Sequence, residues 1–181
     1  GYHGFCALPY NLSKIEGKIF YMAGGYKYAQ AGEGVCFMVV PPGNWRPANT
    51  GWFASFTTLH QAATEKVGYG EDADAFWGGT FDPTGLYRFR AIWTLFKKEG
   101  LTVAKIHKHV EFLQSATLRN YLPEHTTALY DQDNLLDWHG HFLTFLAPSE
   151  EVASSLSEQL IQRKILHDRR GLRIRIGFGL Y

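Results

Sequence analysis

The chain has 181 residues, 45% of them hydrophobic and 15% aromatic, which suits one folded domain or one and a half. Lys and Arg number 18 against 17 Asp and Glu, so the net charge of +1 makes no electrostatic case for nucleic acid or an anionic membrane surface as a partner. No apolar run is long enough to span a bilayer, no signal-peptide pattern is present, and Cys6 and Cys36 lack the spacing of a metal-ligand pair.

The segment from Lys18 to Gly25 reads as a short buried strand ended by glycines, and Val35 to Val40 as a second buried strand closed by Pro41-Pro42-Gly43. Between them lies a loop rich in glycine and tyrosine that carries one lysine, Lys27. Residues 44–56 read as a loop with Trp45 and Trp52, and the hydrophilic stretch 64–74 as an exposed loop. Asp82-Pro83 fits a helix start, with Leu86, Phe89, Trp93 and Phe96 following at helical spacing until Glu99-Gly100 breaks it. A second helix carries Val103, Ile106, Val110 and Leu113 on one face and ends near Leu122-Pro123. Trp138 to Leu146 alternates as a strand. Pro148 to Glu151 opens a third helix with acids at its positive end, and Leu172 to Phe178 is a last strand with Arg173 and Arg175 on one face. Arg169-Arg170 reads as an exposed turn. This order suggests the end of an α/β layer followed by a small α+β unit. The chain starts at Gly1 and stops at Tyr181 straight after a strand-like run, so it is expected to be a piece of a longer protein.

Gly24-Gly25-Tyr26-Lys27-Tyr28 carries the main chemical signal. A lysine in a glycine-bearing turn just after a buried strand sits at a sheet edge, where ligand crevices of α/β folds open. An amine that condenses with an aldehyde must first lose its proton, so it needs partial desolvation or a neighbouring cation. The flanking tyrosines suit that need by excluding water, and their hydroxyls suit a phosphate. The bland alternative is a surface lysine in a tight turn.

The run Phe20 to Tyr28 with Gly32-Glu33-Gly34 resembles the pattern of the kynureninase and class-V aminotransferase group of pyridoxal-phosphate (PLP) enzymes. The resemblance covers nearly the whole chain, with its segments in family order. It implies that Lys27 forms the Schiff base with PLP and that Tyr26 is a ligand of the cofactor phosphate. Gly1-Tyr2-His3 resembles the tail of the family's Asp-x-x-His segment, which puts His3 near the phenolic oxygen of the cofactor and its Asp ahead of Gly1. Thr50-Gly51-Trp52-Phe53 and Phe76-Trp77-Gly78-Gly79-Thr80 resemble two segments whose Trp and Thr reach the phosphate of the neighbouring subunit. Those roles fall on Trp52 and Thr80. A Thr at this position is more like the general class-V enzymes than kynureninase, which has Asn. The run Arg173 to Tyr181 resembles the C-terminal arginine strand, with Arg175 at the spacing of the residue that clamps a substrate carboxylate.

The implied fold class is α/β: the C-terminal part of a fold-type-I large domain, with a mostly parallel sheet, over residues 1–119, and a small α+β domain over 120–181. The implied protein is a cytoplasmic homodimer acting on an amino acid by transamination or by kynureninase-like carbon–carbon cleavage. The piece alone is expected to be inactive, and a non-catalytic dimerisation module is the alternative from another class. Related cysteine desulfurases place a nucleophilic Cys well after the lysine. No Cys follows Cys36, which reads as a buried structural thiol, and that subclass is disfavoured. His107 and His109 diverge on a helix, whereas His139 and His141 share a strand face and form a candidate metal pair that lacks a third ligand. No metal is expected.

Overall fold

The computed structural model describes residues 1–61, 68–121, 127–128 and 140–180. The expected strand start at Trp138, His139 of the candidate metal pair, the helix end at Leu122-Pro123 and part of the 64–74 loop lie outside the described residues. The chain divides into two compact units, Gly1–Phe5 with Tyr10–Leu95, and Cys6–Pro9 with Phe96–Tyr181.

In the first unit, strand β1 (Tyr21–Gly24) pairs antiparallel with β2 (Cys36–Val39), in a register that sets Ala23 opposite Phe37 and Gly24 opposite Cys36. The link between them is too short for a parallel crossover, so the pair turns back on itself. The parallel pairing expected of a large-domain sheet is not among the described pairs. Both strands were expected to be buried, and each is so only in part. Ala23 and the flanking Val35 are buried, but Met22 is 54% and Val39 46% exposed. A two-stranded ribbon has two faces, and cover comes to one of them at the Ala23–Phe37 pair. There Phe37 meets Phe5 at 5.0 Å and stacks on Phe89 at 6.5 Å between ring centroids.

Two stretches expected as loops form 3-10 turns, Trp52–Thr58 and Asp72–Phe76. Helix α1 (Thr84–Lys98) starts as its sequence requires, with Asp82 Oδ1 accepting from the Thr84 N–H at 2.9 Å and from its hydroxyl at 2.6 Å. Gly100, at φ 61°, ends the helix, and the Leu101 N–H returns to the Phe96 carbonyl at 2.8 Å.

In the second unit, α2 (Val103–Tyr121) buries Ile106 and Val110 on its apolar face, and the face continues with a buried Gln114. Strands β3 (Thr127–Ala128), β4 (Phe142–Leu146), β5 (Asp168–Arg170) and β6 (Arg173–Gly177) form an antiparallel sheet in the order β3-β4-β6-β5. The alternation expected along β4 is present: Leu143 and Phe145 are buried, with Leu118, Ile176 and Phe178 packed on them. Helix α3 (Glu150–Gln162) is capped by Ser149, whose hydroxyl accepts from the Val152 N–H. Arg169-Arg170, expected as an exposed turn, lies in β5; the turn itself falls at Gly171, whose φ of 58° suits glycine. No described helix is long and apolar enough to cross a membrane.

Candidate active site

The backbone after β1 is folded around Lys27. The Gly25 N–H donates to the Val35 carbonyl at 2.8 Å and closes the neck of the loop. Beyond Lys27 the chain doubles back. The Gln30 N–H donates to the Lys27 carbonyl at 3.0 Å, and the Ala31 N–H to the Gly25 carbonyl at 2.8 Å. Lys27 is half-buried, with its Nζ 5.1 Å from the centre of the Tyr26 ring. An ammonium so placed gains from the electron-rich ring face, and the ring keeps water from one side of it.

The Tyr26 ring itself depends on Gly24, because a Cβ there would come 2.7 Å from the ring. Tyr2 also packs against it, tilted, at 5.7 Å between centroids. Desolvation pushes the Tyr26 phenol above its ordinary value of 10.0, and nearby Tyr2, Cys36 and Glu33 push it the same way. The hydroxyl therefore stays protonated at neutral pH and is a hydrogen-bond donor, as a phosphate ligand must be. His3 follows Tyr2 in an exposed turn, held by the Gly4 and Phe5 N–H groups donating to the Gly1 carbonyl at 3.1 and 2.8 Å. Through Tyr2, the His3 segment reaches the Lys27 turn.

Cys36 corrects an expectation. It is exposed, not buried, because its cross-strand partner Gly24 has no side chain to cover it. Cys6 is the buried thiol, and burial pushes it up to about 11.

Trp52 and Thr80 belong to a second cluster in the same unit, where two segments cross. The Thr50 hydroxyl donates to the Ala75 and Trp77 carbonyls, both at 3.0 Å. The Gly51 N–H donates to the Trp77 carbonyl at 3.3 Å and the Phe53 N–H to the Gly78 carbonyl at 3.4 Å. The Trp52 ring lies over Gly79, next to the exposed Thr80. So the structure brings together the two segments that the sequence singled out. Beside the crossing is an apolar groove of about 360 Å³, lined in part by Phe53, Phe56, Trp77 and Phe81. Trp52 is half exposed.

Arg175 lies on β6 in the second unit, opposite Thr144 of β4. Its Nη2 donates to Asp168 Oδ2 at 2.6 Å, and its guanidinium sits 5.2 Å from the Phe142 ring centre. Arg173 is exposed. Sequence reasoning missed Asp168. The signal was there in the Gly171 turn, which sets Asp168 opposite Arg175 once β5 and β6 are read as a hairpin.

Of the candidate metal pair, His141 is buried, with Nε2 3.1 Å from His107 Nδ1; His107 Nε2 in turn lies 3.1 Å from Glu111 Oε1. Among the described residues no group of three or more His, Cys, Asp or Glu is arranged to hold a metal.

No protein-family model matches the sequence, and no curated protein matches it. Solved structures do. The complex of the cystine C–S lyase C-DES with its reaction product, cysteine persulfide, matches with a TM-score of 0.72 and 20% identity. That match covers 96% of this chain and 45% of C-DES. A lysine-to-alanine mutant of C-DES, with glycine covalently linked to its PLP cofactor, matches with a TM-score of 0.70 and 18% identity over 96% of this chain and 44% of the other. The fold matches part of that of C-DES, a fold-type-I PLP-dependent enzyme. The chain spans less than half the length of these fold-type-I structures. The mixed α/β character expected from the sequence is thus present, and the likeness does not separate class-V aminotransferases from kynureninases.

Proposed function

We propose that this chain forms part of a PLP-dependent enzyme that acts on an amino acid through Lys27, in the manner of the class-V aminotransferases. The observation that carries the reading is the placement of Lys27: a half-buried amine in the turn just after β1, over the ring of Tyr26. The fold likeness to C-DES, whose PLP is present in one of the matching structures, supports it. When bound, the cofactor supplies an aldehyde for an amine and an electron sink for carbanion chemistry at the substrate.

The remaining work falls to the residues of the chain. Lys27 would supply the amine that holds the cofactor and would move protons at the substrate carbons. The Tyr26 hydroxyl, kept protonated, would donate to the phosphate, and His3 would stand near the phenolic oxygen of the cofactor. Arg175 holds the substrate carboxylate with the N–H groups that Asp168 leaves open, and a planar fork suits that task better than an ammonium. Trp52 and Thr80 serve the phosphate of a second copy across a homodimer interface. The exposed aromatic groove beside them suits burial in that interface. We retain 1–119 as the remainder of the large domain with its bridging helix and 120–181 as the small domain, and the cytoplasm as the compartment.

The test adds PLP to the protein at its full natural length, follows its visible absorption, reduces with borohydride and maps the modified peptide. Label on Lys27 is expected. Absence of label would leave the non-catalytic dimerisation module as the better reading.

One specific observation favours a second reaction. The matching structures include a cystine C–S lyase with its persulfide product, so cleavage of a carbon–sulfur bond stands beside transamination and kynureninase-like cleavage. Turnover that requires a 2-oxo acid acceptor marks a transaminase. Release of a persulfide from cystine without an acceptor marks a lyase, and release of anthranilate from kynurenine marks the kynureninase type.

A further inference from the structure

The loop between Lys27 and β2 closes its neck with its own backbone but leaves the Ala31 and Glu33 carbonyls to a partner from elsewhere. Gln30, Gly32 and Gly34 all have positive φ, at 55°, 71° and 90°, so neither helix nor ladder satisfies the carbonyls between them. A side chain from a distant part of the unit does so instead. Arg88, on the first turns of α1, donates from Nε to the Ala31 carbonyl at 3.1 Å and from Nη2 to the Glu33 carbonyl. The guanidinium thus brackets Gly32 from both sides.

The helix is seated close enough for this to be specific. A Cβ on Gly32 would lie 3.4 Å from Arg88 Nε, and one on Gly85 would lie 2.7 Å from the Gly34 carbonyl oxygen. Glycine at 85 lets the helix backbone approach the loop, whereas Gly32 is called for by its φ of 71°, its Cβ making only ordinary contact with the fork. Ala31 is the residue that matters. Its carbonyl is held by Arg88, and its N–H holds the carbonyl of Gly25, two residues before Lys27. The neighbouring Gln30 N–H holds the carbonyl of Lys27 itself. Arg88 is therefore one hydrogen bond removed from the backbone that aims the lysine.

We propose that Arg88 is a positioning residue for Lys27: its two-carbonyl fork fixes the Gly25–Gly34 loop and so sets the direction and exposure of the lysine amine. This rests on the reading of Lys27 as the cofactor lysine. A lysine in place of Arg88 reaches one carbonyl, not two, because an ammonium lacks the planar fork.

The test compares wild type, Arg88→Gln and Arg88→Lys, each as the holoenzyme at full natural length, with hydrogen exchange followed also in the apoprotein. In Arg88→Gln, exchange at the Gln30 and Ala31 amides is expected to quicken about tenfold, the usual order for losing a supporting hydrogen bond, with amides of β4 and β6 unchanged. The pH at which bound PLP changes its visible absorption should shift, and kcat should fall more than KM rises. Arg88→Lys should give intermediate values for all three. If Arg88→Gln does not fold, Arg88→Lys decides by the same readouts. Wild-type exchange, absorption titration and kcat in a folded variant, with borohydride label still on Lys27, would overturn the positioning role and leave the site reading intact. Exchange that quickens evenly along the chain would also overturn it, as general destabilisation. No label on Lys27 in wild type would overturn the site reading, and the positioning role with it.

Discussion

The crossing that joins Trp52 to Thr80 makes a sharp test, because one methyl group should pry it open. In Gly51→Ala the new Cβ would lie 1.6 Å from the Gly78 carbonyl oxygen, where ordinary contact begins at 3.4 Å. The three nearest atoms are all Gly78 backbone, so no side-chain rotation relieves the clash. Gly51 has φ −128° and ψ −176°, extended backbone open to any residue, so the cost is steric and not conformational. Parting the segments breaks the two hydrogen bonds at 3.3 and 3.4 Å and lifts Trp52 from Gly79. Two long hydrogen bonds contribute roughly 0.5 kcal/mol each. Forced separation of packed segments costs about 1–3 kcal/mol more. The expected loss is therefore about 3 kcal/mol in urea unfolding. Gly78→Ala is the internal control, since a Cβ there meets nothing within 4 Å. It should change stability by less than about 0.5 kcal/mol, the usual range for a surface site. Equal stability of the two variants would refute the crossing and, with it, the convergence of the Trp52 and Thr80 segments.

Thiol labelling should separate the cysteines: exposed Cys36 reacts with a disulfide reagent at pH 8, whereas native Cys6 does not. Because the folded Cys6 thiol is raised from 9.0 to about 11, its contribution to stability is complete below pH 9.0 and is lost as pH rises through 11, which alkaline unfolding of wild type against Cys6→Ser would register. Asp168→Asn should raise KM for an amino-acid substrate several-fold with little change in kcat, because Arg175 loses the carboxylate that aims it; an unchanged KM would count against Arg175 as the clamp. The Asp82 carboxylate is held below its ordinary 3.8, first by the Thr84 hydroxyl and then by the Thr84 N–H. Its stabilising contribution is therefore full above pH 3.8 and is lost as pH falls through the lower folded value, so Asp82→Asn should flatten acid unfolding in that window.

The elements legible in the sequence were those whose stability is written locally. Asp82-Pro83 announces a helix start because a short polar side chain there satisfies a backbone N–H within its own turn, and the acids after Pro148 announce the third helix, whose cap proves to be Ser149. The β4 alternation survives because one face meets the core around Leu143 and Phe145. Strand β5 escaped notice because Asp168-Arg169-Arg170 has no apolar residue; it is held by its hairpin register with β6 and by the Asp168–Arg175 pair. Burial along β1 and β2 was misread for a related reason. An apolar run announces a face that wants cover without saying what supplies it, and Met22 and Cys36 are left exposed among the described residues.

The Lys27 site shows both sides of that rule. The lysine, its tyrosines and the glycines are contiguous, so the motif could be read directly. What shapes the loop could not, because a stretch with three positive φ angles carries no periodic pattern and leaves its carbonyls to partners from elsewhere. Arg88 answers the Ala31 and Glu33 carbonyls from 57 and 55 residues away. Nothing in Leu86-Tyr87-Arg88 marks it as other than a solvated helix position. A reacting amine placed on irregular backbone draws its rigidity from long-range side-chain bonds, so the residues that position it are the ones a local pattern cannot reveal.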